Sequence, residues 1–290
     1  MERLWMLFSR HALVFVMLLA ANHLVNGQGN CLLYRANSGE RLACELSYRA
    51  IEYKQGGKNS QILFDAAIKL GPAYTYSYYE KSVPFFKRGL LRQGVELLNQ
   101  AIALEPENYL CYRAYWYFSH RSYEMAIKDL EHYYFALNGP ARTTPGGDLE
   151  MRMLLGMAYV QTNQTAKAAK VVSEGMAGYK SERFPIGPYA YHMLGVFYYK
   201  NDQLSNAVAS FKRQIEMNEH FADSYYYLAL IRQKEDKLEE SKELLELALS
   251  KLGGQNGGYS FNGFDAFNVY KTDVERELSS LIKTNIKPQS

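Results

Sequence analysis

The chain has 290 residues, enough for one or two ordinary domains, and its 48% hydrophobic and 22% charged content is a globular balance rather than a disordered one. The 33 basic and 30 acidic side chains give a net charge of +3 and form no basic block, so we expect no nucleic-acid partner. The unusual feature is 25 Tyr and 14 Phe beside 2 Trp, which predicts rings filling gaps between helices or lining an aromatic groove.

The N-terminus has the pattern of a secretory signal. Arg3 and Arg10 precede an apolar run at 12–21, and Val25-Asn26-Gly27 follows it. The run of about 10 residues is short of the roughly 20 that span a bilayer, which favours cleavage of a signal peptide at 1–27 over an uncleaved anchor. We therefore expect export: a periplasmic or cell-envelope location in a bacterium and secretion otherwise.

The three cysteines are interpreted in that oxidising context. Cys31, in the N-terminal segment 28–40, and Cys44 are 13 residues apart and could form a disulfide, although two buried thiols are equally compatible with the spacing. Cys111 would remain inside a helix. No CxxC and no His–Cys cluster is present, so we expect no metal site.

Small and large residues recur in a fixed order from Thr75 onward. They occupy positions 4, 8, 11, 20, 24, 27 and 32 of a unit of about 34 residues: Tyr78, Ser82, Phe85, Gly94, Leu98, Ala101 and Pro106. Small side chains let helices approach closely, large ones fill the remaining gaps, and the proline ends the second helix. The pattern resembles the tetratricopeptide repeat (TPR) family, which implies an all-α, right-handed superhelical solenoid of about six helical hairpins with a C-terminal capping helix.

The same pattern predicts an array over 41–255, with units near 41–74, 75–106, 107–138, 149–182, 188–221 and 222–255. Tyr48 in the first unit and Tyr133 in the third stand where a small residue is expected, and Arg113 replaces the usual leucine. A Gly/Pro-rich linker at 138–148 separates three units from three, and 256–290 is the predicted capping helix and tail, with a detachable partner-binding helix as the alternative.

No motif of a hydrolase, a metalloprotease or a nucleotide-binding enzyme occurs in the sequence, so we expect no enzymatic activity and no cofactor. The resemblance instead implies a partner-binding groove lined by positions 2, 5, 9, 12 and 13 of each first helix. These positions supply the candidate groove residues Tyr76, Tyr79, Phe86, Lys87, Phe118, Tyr189, His192, Tyr199, Lys200, Tyr226 and Lys234.

Tyrosines beside lysines suit a protein or extended peptide with acidic or C-terminal carboxylate groups. The alternative is that the rings pack between neighbouring helices and the lysines are simply solvated. Val83, Val196 and Leu230 occupy position 9, where carboxylate-clamping members of the family carry Asn, so such a clamp is not expected. The predicted function is a non-catalytic scaffold or adaptor outside the cytoplasm; a solute- or glycan-binding component of an envelope uptake complex is the alternative.

Overall fold

A computed structural model describes residues 30–147, 149–181, 189–252 and 268–285. These residues form thirteen α-helices, twelve of them paired into six consecutive hairpins, with only one isolated β-bridge. The fold is therefore the predicted all-α array of tetratricopeptide-type hairpins. None of the described helices has the length and apolar character needed to cross a membrane. The predicted signal peptide at 1–27 and the segments 182–188 and 253–267 lie outside the described residues.

The chain divides into two compact units after Glu105. The first unit holds two hairpins whose first helices, α1 and α3, also contact each other. Its helices are α1 (Gly39–Ile51), α2 (Lys58–Leu70), α3 (Thr75–Lys87) and α4 (Leu91–Leu104).

A disulfide joins Cys31 to Cys44 in this unit, with their Cα atoms 5.6 Å apart. Cys31 opens a short 3-10 turn ahead of α1, and Cys44 is fully buried in α1. The bond therefore attaches the segment before the first hairpin to the core of that hairpin.

The second unit contains four hairpins and a final helix. Each hairpin packs its two helices together, and each first helix also contacts the first helix of the next hairpin. The helices are α5 (Pro106–Ser119), α6 (Tyr123–Glu131), α7 (Met151–Gln161), α8 (Thr165–Ser181), α9 (Ala190–Lys200), α10 (Leu204–Met217), α11 (Ala222–Lys234), α12 (Leu238–Leu252) and α13 (Lys271–Asn285).

Five hairpins share one three-residue turn, whose middle residue adopts positive φ. The middle residues are Gly89, Arg121, Asn163, Asp202 and Asp236, with φ between 56° and 74°. In each turn the N–H of the third residue donates to a carbonyl five residues earlier, at 2.7–2.9 Å. Gly, Asn and Asp tolerate the left-handed region, and this hydrogen bond satisfies a carbonyl at the end of the first helix. The turns therefore give successive hairpins the same geometry.

Glycine at position 8 or 20 allows close helix contact within and between hairpins. A Cβ at Gly94 would lie 2.7 Å from the Phe86 ring, and one at Gly195 would lie 2.6 Å from the Phe211 ring. The ring of each pair thus occupies the space beside the glycine, as the size pattern predicts.

The first hairpin differs from the predicted register by one residue. Tyr48 is half-buried on the surface, whereas Ser47 is fully buried and its hydroxyl lies 2.8 Å from that of Ser77 on α3. The turn between α1 and α2 covers residues 52–57 and is longer than the three-residue turns of the other hairpins. The residues of α1 are therefore displaced from the positions that the repeat pattern assigns to them. The small residue at the helix contact is therefore Ser47.

The third hairpin accommodates the residues that depart from the repeat pattern. Arg113 replaces an apolar side chain and forms a bidentate pair with Asp129, with N–O distances of 2.7 and 2.8 Å. Tyr133 lies in a π-helical turn, His132–Ala136, that continues α6, and its fully buried ring covers Gly139. A polar pair and a bulky ring thus replace the usual contacts of this hairpin.

The Gly/Pro-rich linker folds back onto the third hairpin. An antiparallel bridge pairs Thr143 with Glu150, and the N–H of Met151 donates to the carbonyl of Arg142 at 2.8 Å. Arg142 Nε in turn donates to the Tyr133 hydroxyl at 2.7 Å. These hydrogen bonds give the described residues of the linker a defined conformation.

The last helix covers the sixth hairpin. Val269, Val274 and Leu281 are buried against Tyr226 and Leu245, on α11 and α12. Without α13, the apolar face of α11 and α12 would be exposed, so the contact has the character of a cap. The predicted start of this cap, at 256–267, lies outside the described residues.

Asp223 makes this contact sensitive to pH. Its buried carboxyl accepts a backbone hydrogen bond from Val269, next to α13, and burial raises its pKa to about 7. Between pH 4 and 7 the folded chain holds this proton while the unfolded chain releases it, so this group lowers the free energy of unfolding as pH rises through that window.

We expect Asp223→Asn to raise the free energy of unfolding at pH 8 by at least about 1 kcal/mol, because it removes the cost of a buried charge. The gain should disappear by pH 4, where the native carboxyl is neutral. Urea denaturation of both chains at pH 4, 6 and 8 measures the difference. An equal difference at every pH would contradict the assignment.

Candidate functional site

A row of partly exposed tyrosines crosses the first helices of the first unit. Tyr48 on α1 stacks on Tyr76 on α3, with centroids 5.9 Å apart and planes 23° apart, and Tyr79 lies 6.0 Å further along. All three are half-buried. The tyrosine row of Tyr48, Tyr76 and Tyr79 thus offers ring faces and edges on a rigid helical support.

Tyr76 and Tyr79 have phenol pKa values raised above their ordinary value. Burial and a hydrogen bond to Glu80 raise the pKa of Tyr76, and burial raises the pKa of Tyr79 to about 12. Burial also raises the pKa of Glu80. At the end of the same helix, exposed Lys87 donates to Gln55 Oε1 at 2.7 Å, so this helix also carries an ammonium group in water.

The second unit carries a comparable arrangement on α9 and α11. The Tyr199 ring packs edge-on against Tyr227 at 5.5 Å, and Lys234 Nζ lies 4.7 Å from the centre of the Tyr199 ring. Lys234 also contacts Asp202 at 3.1 Å, and Lys200 is exposed at the end of α9. Tyr199 is half-buried with the Lys234 ammonium beside its ring, and exposed Lys200 is the next residue of α9.

Five of the predicted groove residues lie in the core, which makes their assignment to a partner surface wrong. Phe86 packs on Gly94, and Phe118 packs edge-on against Tyr123 at 5.2 Å. The exposed fractions are 2% for Phe86, 4% for Phe118, 5% for Tyr189, 0% for His192 and 9% for Tyr226. The physical reason is packing: Gly94 leaves room for the Phe86 ring, and residues of the last helix cover Tyr226.

His192 shows how complete this burial is. Its backbone N–H donates to Gln214 Oε1 at 3.1 Å, and its Nδ1 lies 3.0 Å from the Ser224 hydroxyl. The rings of Phe211, Phe221 and Tyr227 surround the imidazole, and burial lowers its pKa to about 3. His192 is therefore a neutral core residue that links α9 to α11.

An aromatic cluster on α5 is absent from the predicted set. Trp116 lies edge-on to Tyr115 at 5.2 Å and to Tyr112 at 6.2 Å, and all three are half-buried. Their spacing of three and four residues places them on one helix face. That spacing was visible in the sequence: Tyr115 stands at position 9 of its unit, whereas Tyr112 and Trp116 fall outside the groove positions of the repeat pattern.

A pocket of about 250 Å³ opens elsewhere in the second unit. Phe135, Tyr159 and Val171 form its apolar part, and the remaining lining residues are Glu131, Lys167, Lys170 and Glu174. It involves α6, α7 and α8 rather than the exposed tyrosines of α9. Among the described residues no group of three or more His, Cys, Asp and Glu has the geometry to hold a metal ion.

Comparison with known proteins places one segment in a defined family. The sequence model of the tetratricopeptide repeat family matches residues 188–221. This segment is therefore similar in sequence to a tetratricopeptide repeat. It corresponds to the hairpin of α9 and α10, in which Gly195 meets Phe211. No curated protein matches the sequence.

Solved structures show a similar fold over most of the chain. YrrB, described as a TPR protein with an unusual peptide-binding site, matches 66% of this chain and 93% of its own at 17% identity, with a TM-score of 0.53. PilF of Pseudomonas aeruginosa matches 79% of this chain and 98% of its own at 14% identity and a TM-score of 0.53. Yeast Tom70 matches 86% of this chain but 49% of its own, at 13% identity and a TM-score of 0.50. At these identities the similarity establishes the fold.

Proposed function

We propose that this chain is a non-catalytic scaffold that binds a protein or extended peptide outside the cytoplasm. The observation that carries the proposal is the presence of half-exposed tyrosines and exposed lysines on the first helices of both units, with Lys234 beside the Tyr199 ring in the second. Tyrosine supplies a large contact area at low conformational cost, and an ammonium group selects acidic groups. YrrB, which has a similar fold, is described as having a peptide-binding site, and this analogy at the level of the fold also supports peptide binding here.

We restrict the two proposed surfaces, one in each unit, to the six predicted residues that keep exposed atoms. In the first unit these are Tyr76, Tyr79 and Lys87, and in the second Tyr199, Lys200 and Lys234. Tyr48, which stacks on Tyr76, joins the first group. The partner would then contact neutral phenol rings and place acidic groups near the lysines.

Export is part of the proposal. The apolar run at 12–21 and the Cys31–Cys44 bond support it, because stable disulfides belong to oxidising compartments. Mass spectrometry of the mature chain from its own host should find a new N-terminus near Gln28 and an intact disulfide. A retained N-terminus with two free thiols in the cytoplasmic fraction would contradict export.

The binding surface is tested by charge reversal. Residues 28–290 carrying Lys87→Glu and Lys200→Glu should recover about tenfold less of an acidic partner from the host's envelope fraction, because attraction becomes repulsion at two places. The matched control is Lys69→Glu with Lys212→Glu, which reverses two exposed lysines on the second helices α2 and α10. Equal capture by the two double variants would remove the surface assignment.

A further inference from the structure

We infer that the pocket between α6, α7 and α8 binds a single apolar side chain of a partner polypeptide that carries a carboxylate beside it. This inference deepens the proposed peptide-binding function, because it adds an anchoring site separate from the tyrosine surfaces. The π-helical turn after α6 places Phe135 at this pocket, and Phe135 is 56% exposed.

The pocket has room for one large apolar side chain. Val171 is 3% exposed, and the Tyr159 ring lies beside it while Phe135 supplies an uncovered ring. A volume of about 250 Å³ accommodates a leucine or phenylalanine side chain but not a drug-sized ligand, whose pockets begin at about 300 Å³. A pocket this small suits one anchor of a longer partner, which brings further contacts of its own.

The charged residues at the rim of the pocket determine which polar group of the partner can lie next to the bound apolar side chain. Glu131 already accepts the Tyr159 hydroxyl at 2.7 Å and lies 3.7 Å from Lys167 Nζ. Lys167 also lies 5.2 Å from the centre of the Tyr159 ring. Glu131 is therefore engaged by both neighbours, and Lys167 lies against Glu131 and the Tyr159 ring.

Lys170 is the rim cation with unused capacity. It is exposed, and among the described residues its ammonium makes no ion pair within 4 Å. A carboxylate beside the anchor would reach this ammonium, whereas Glu174, one turn further along α8, disfavours a second acidic group on the other side. Charge complementarity therefore selects an apolar residue with one adjacent carboxylate.

The inference is tested with two small probes and the full chain from residue 28. N-acetyl-phenylalanine presents the ring and a carboxylate, and N-acetyl-phenylalaninamide presents the same ring without the charge. Carbon-13 labelled valine methyls report binding at Val171. We expect saturable shifts of the Val171 methyls with the acid and at least threefold weaker binding of the amide.

Three variants identify the contacts. Phe135→Ala should weaken binding of the acid about fivefold or more, because it removes the exposed ring. Lys170→Glu should remove the preference for the acid over the amide, whereas Lys212→Glu, the same change on α10, should leave it intact. Unshifted Val171 methyls, equal affinity for both probes, or unchanged binding by Phe135→Ala would each overturn the inference.

These titrations use no natural partner, so their outcome is separate from the capture experiment. A failed titration with a positive capture experiment would leave the tyrosine surfaces as the binding site and remove the pocket. A positive titration with a failed capture experiment would leave the pocket and remove the tyrosine surfaces.

Discussion

Replacing Asp129 by leucine is expected to lower the free energy of unfolding by about 3 kcal/mol, because Arg113 would lose its carboxylate partner in a largely buried position. The side chains are 15% exposed for Arg113 and 3% for Asp129, so water cannot readily replace the lost contact. The direct geometry of the pair, with two N–O distances below 3 Å, makes its removal more costly than that of a surface pair.

The decisive measurement is a double-mutant cycle by urea denaturation. Arg113→Leu with Asp129→Leu should recover most of the loss, since two apolar residues can replace a buried ion pair at little cost. Glu96→Leu is the control, because its pair with Arg92 is exposed at 3.7 Å and should change stability by less than about 0.5 kcal/mol. A double variant no more stable than Asp129→Leu alone would contradict this account.

Gly195→Val is expected to destabilise the second unit by about 3 kcal/mol through overpacking. The Cβ would lie 2.6 Å from the fully buried Phe211 ring, and the ring has little space to move because Tyr227 stacks on it and the tilted His192 ring packs beside it. Helices α9 and α10 would have to separate, exposing the contact between them.

Thermal and urea unfolding of Gly195→Val would be compared with Ala209→Val, which introduces a valine at an exposed position of α10. The control should cost only a few tenths of a kcal/mol, the difference in helix propensity. A restoring variant is Gly195→Val with Phe211→Leu, which provides room for the new methyl groups. Equal stability of Gly195→Val and Ala209→Val would show that the close contact is not required.

The candidate site was only partly predictable from the sequence. The repeat pattern says which residues stand at groove positions, but not whether each side chain points to solvent or into the core. Tyr76, Tyr79, Lys87, Tyr199, Lys200 and Lys234 retain exposed atoms as the template implies. Phe86 and His192 do not, because Gly94 opens space for one ring and Ser224 offers a hydrogen-bond partner to the other. The neighbours that decide such cases lie on other helices, 8 positions further for Gly94 and 32 for Ser224.

The sequence by itself determined the helical hairpins and their close contacts. Small residues such as Gly94, Gly156 and Gly195 recur with large rings at helical spacing, and Gly, Asn or Asp stands at most of the turns. Both signals are local, because helix spacing and the left-handed turn depend on residues within one repeat unit.

Only the tertiary structure decided which rings remain exposed and where a pocket opens. Burial of His192 and exposure of Phe135 depend on how α9 meets α11 and on how the π-helical turn redirects the chain after α6. The disulfide between Cys31 and Cys44 was also decided by the tertiary structure, since a spacing of 13 residues permits the bond without requiring it. Exposure is a property of all helices packed around a residue, so no pattern within a single repeat can specify it.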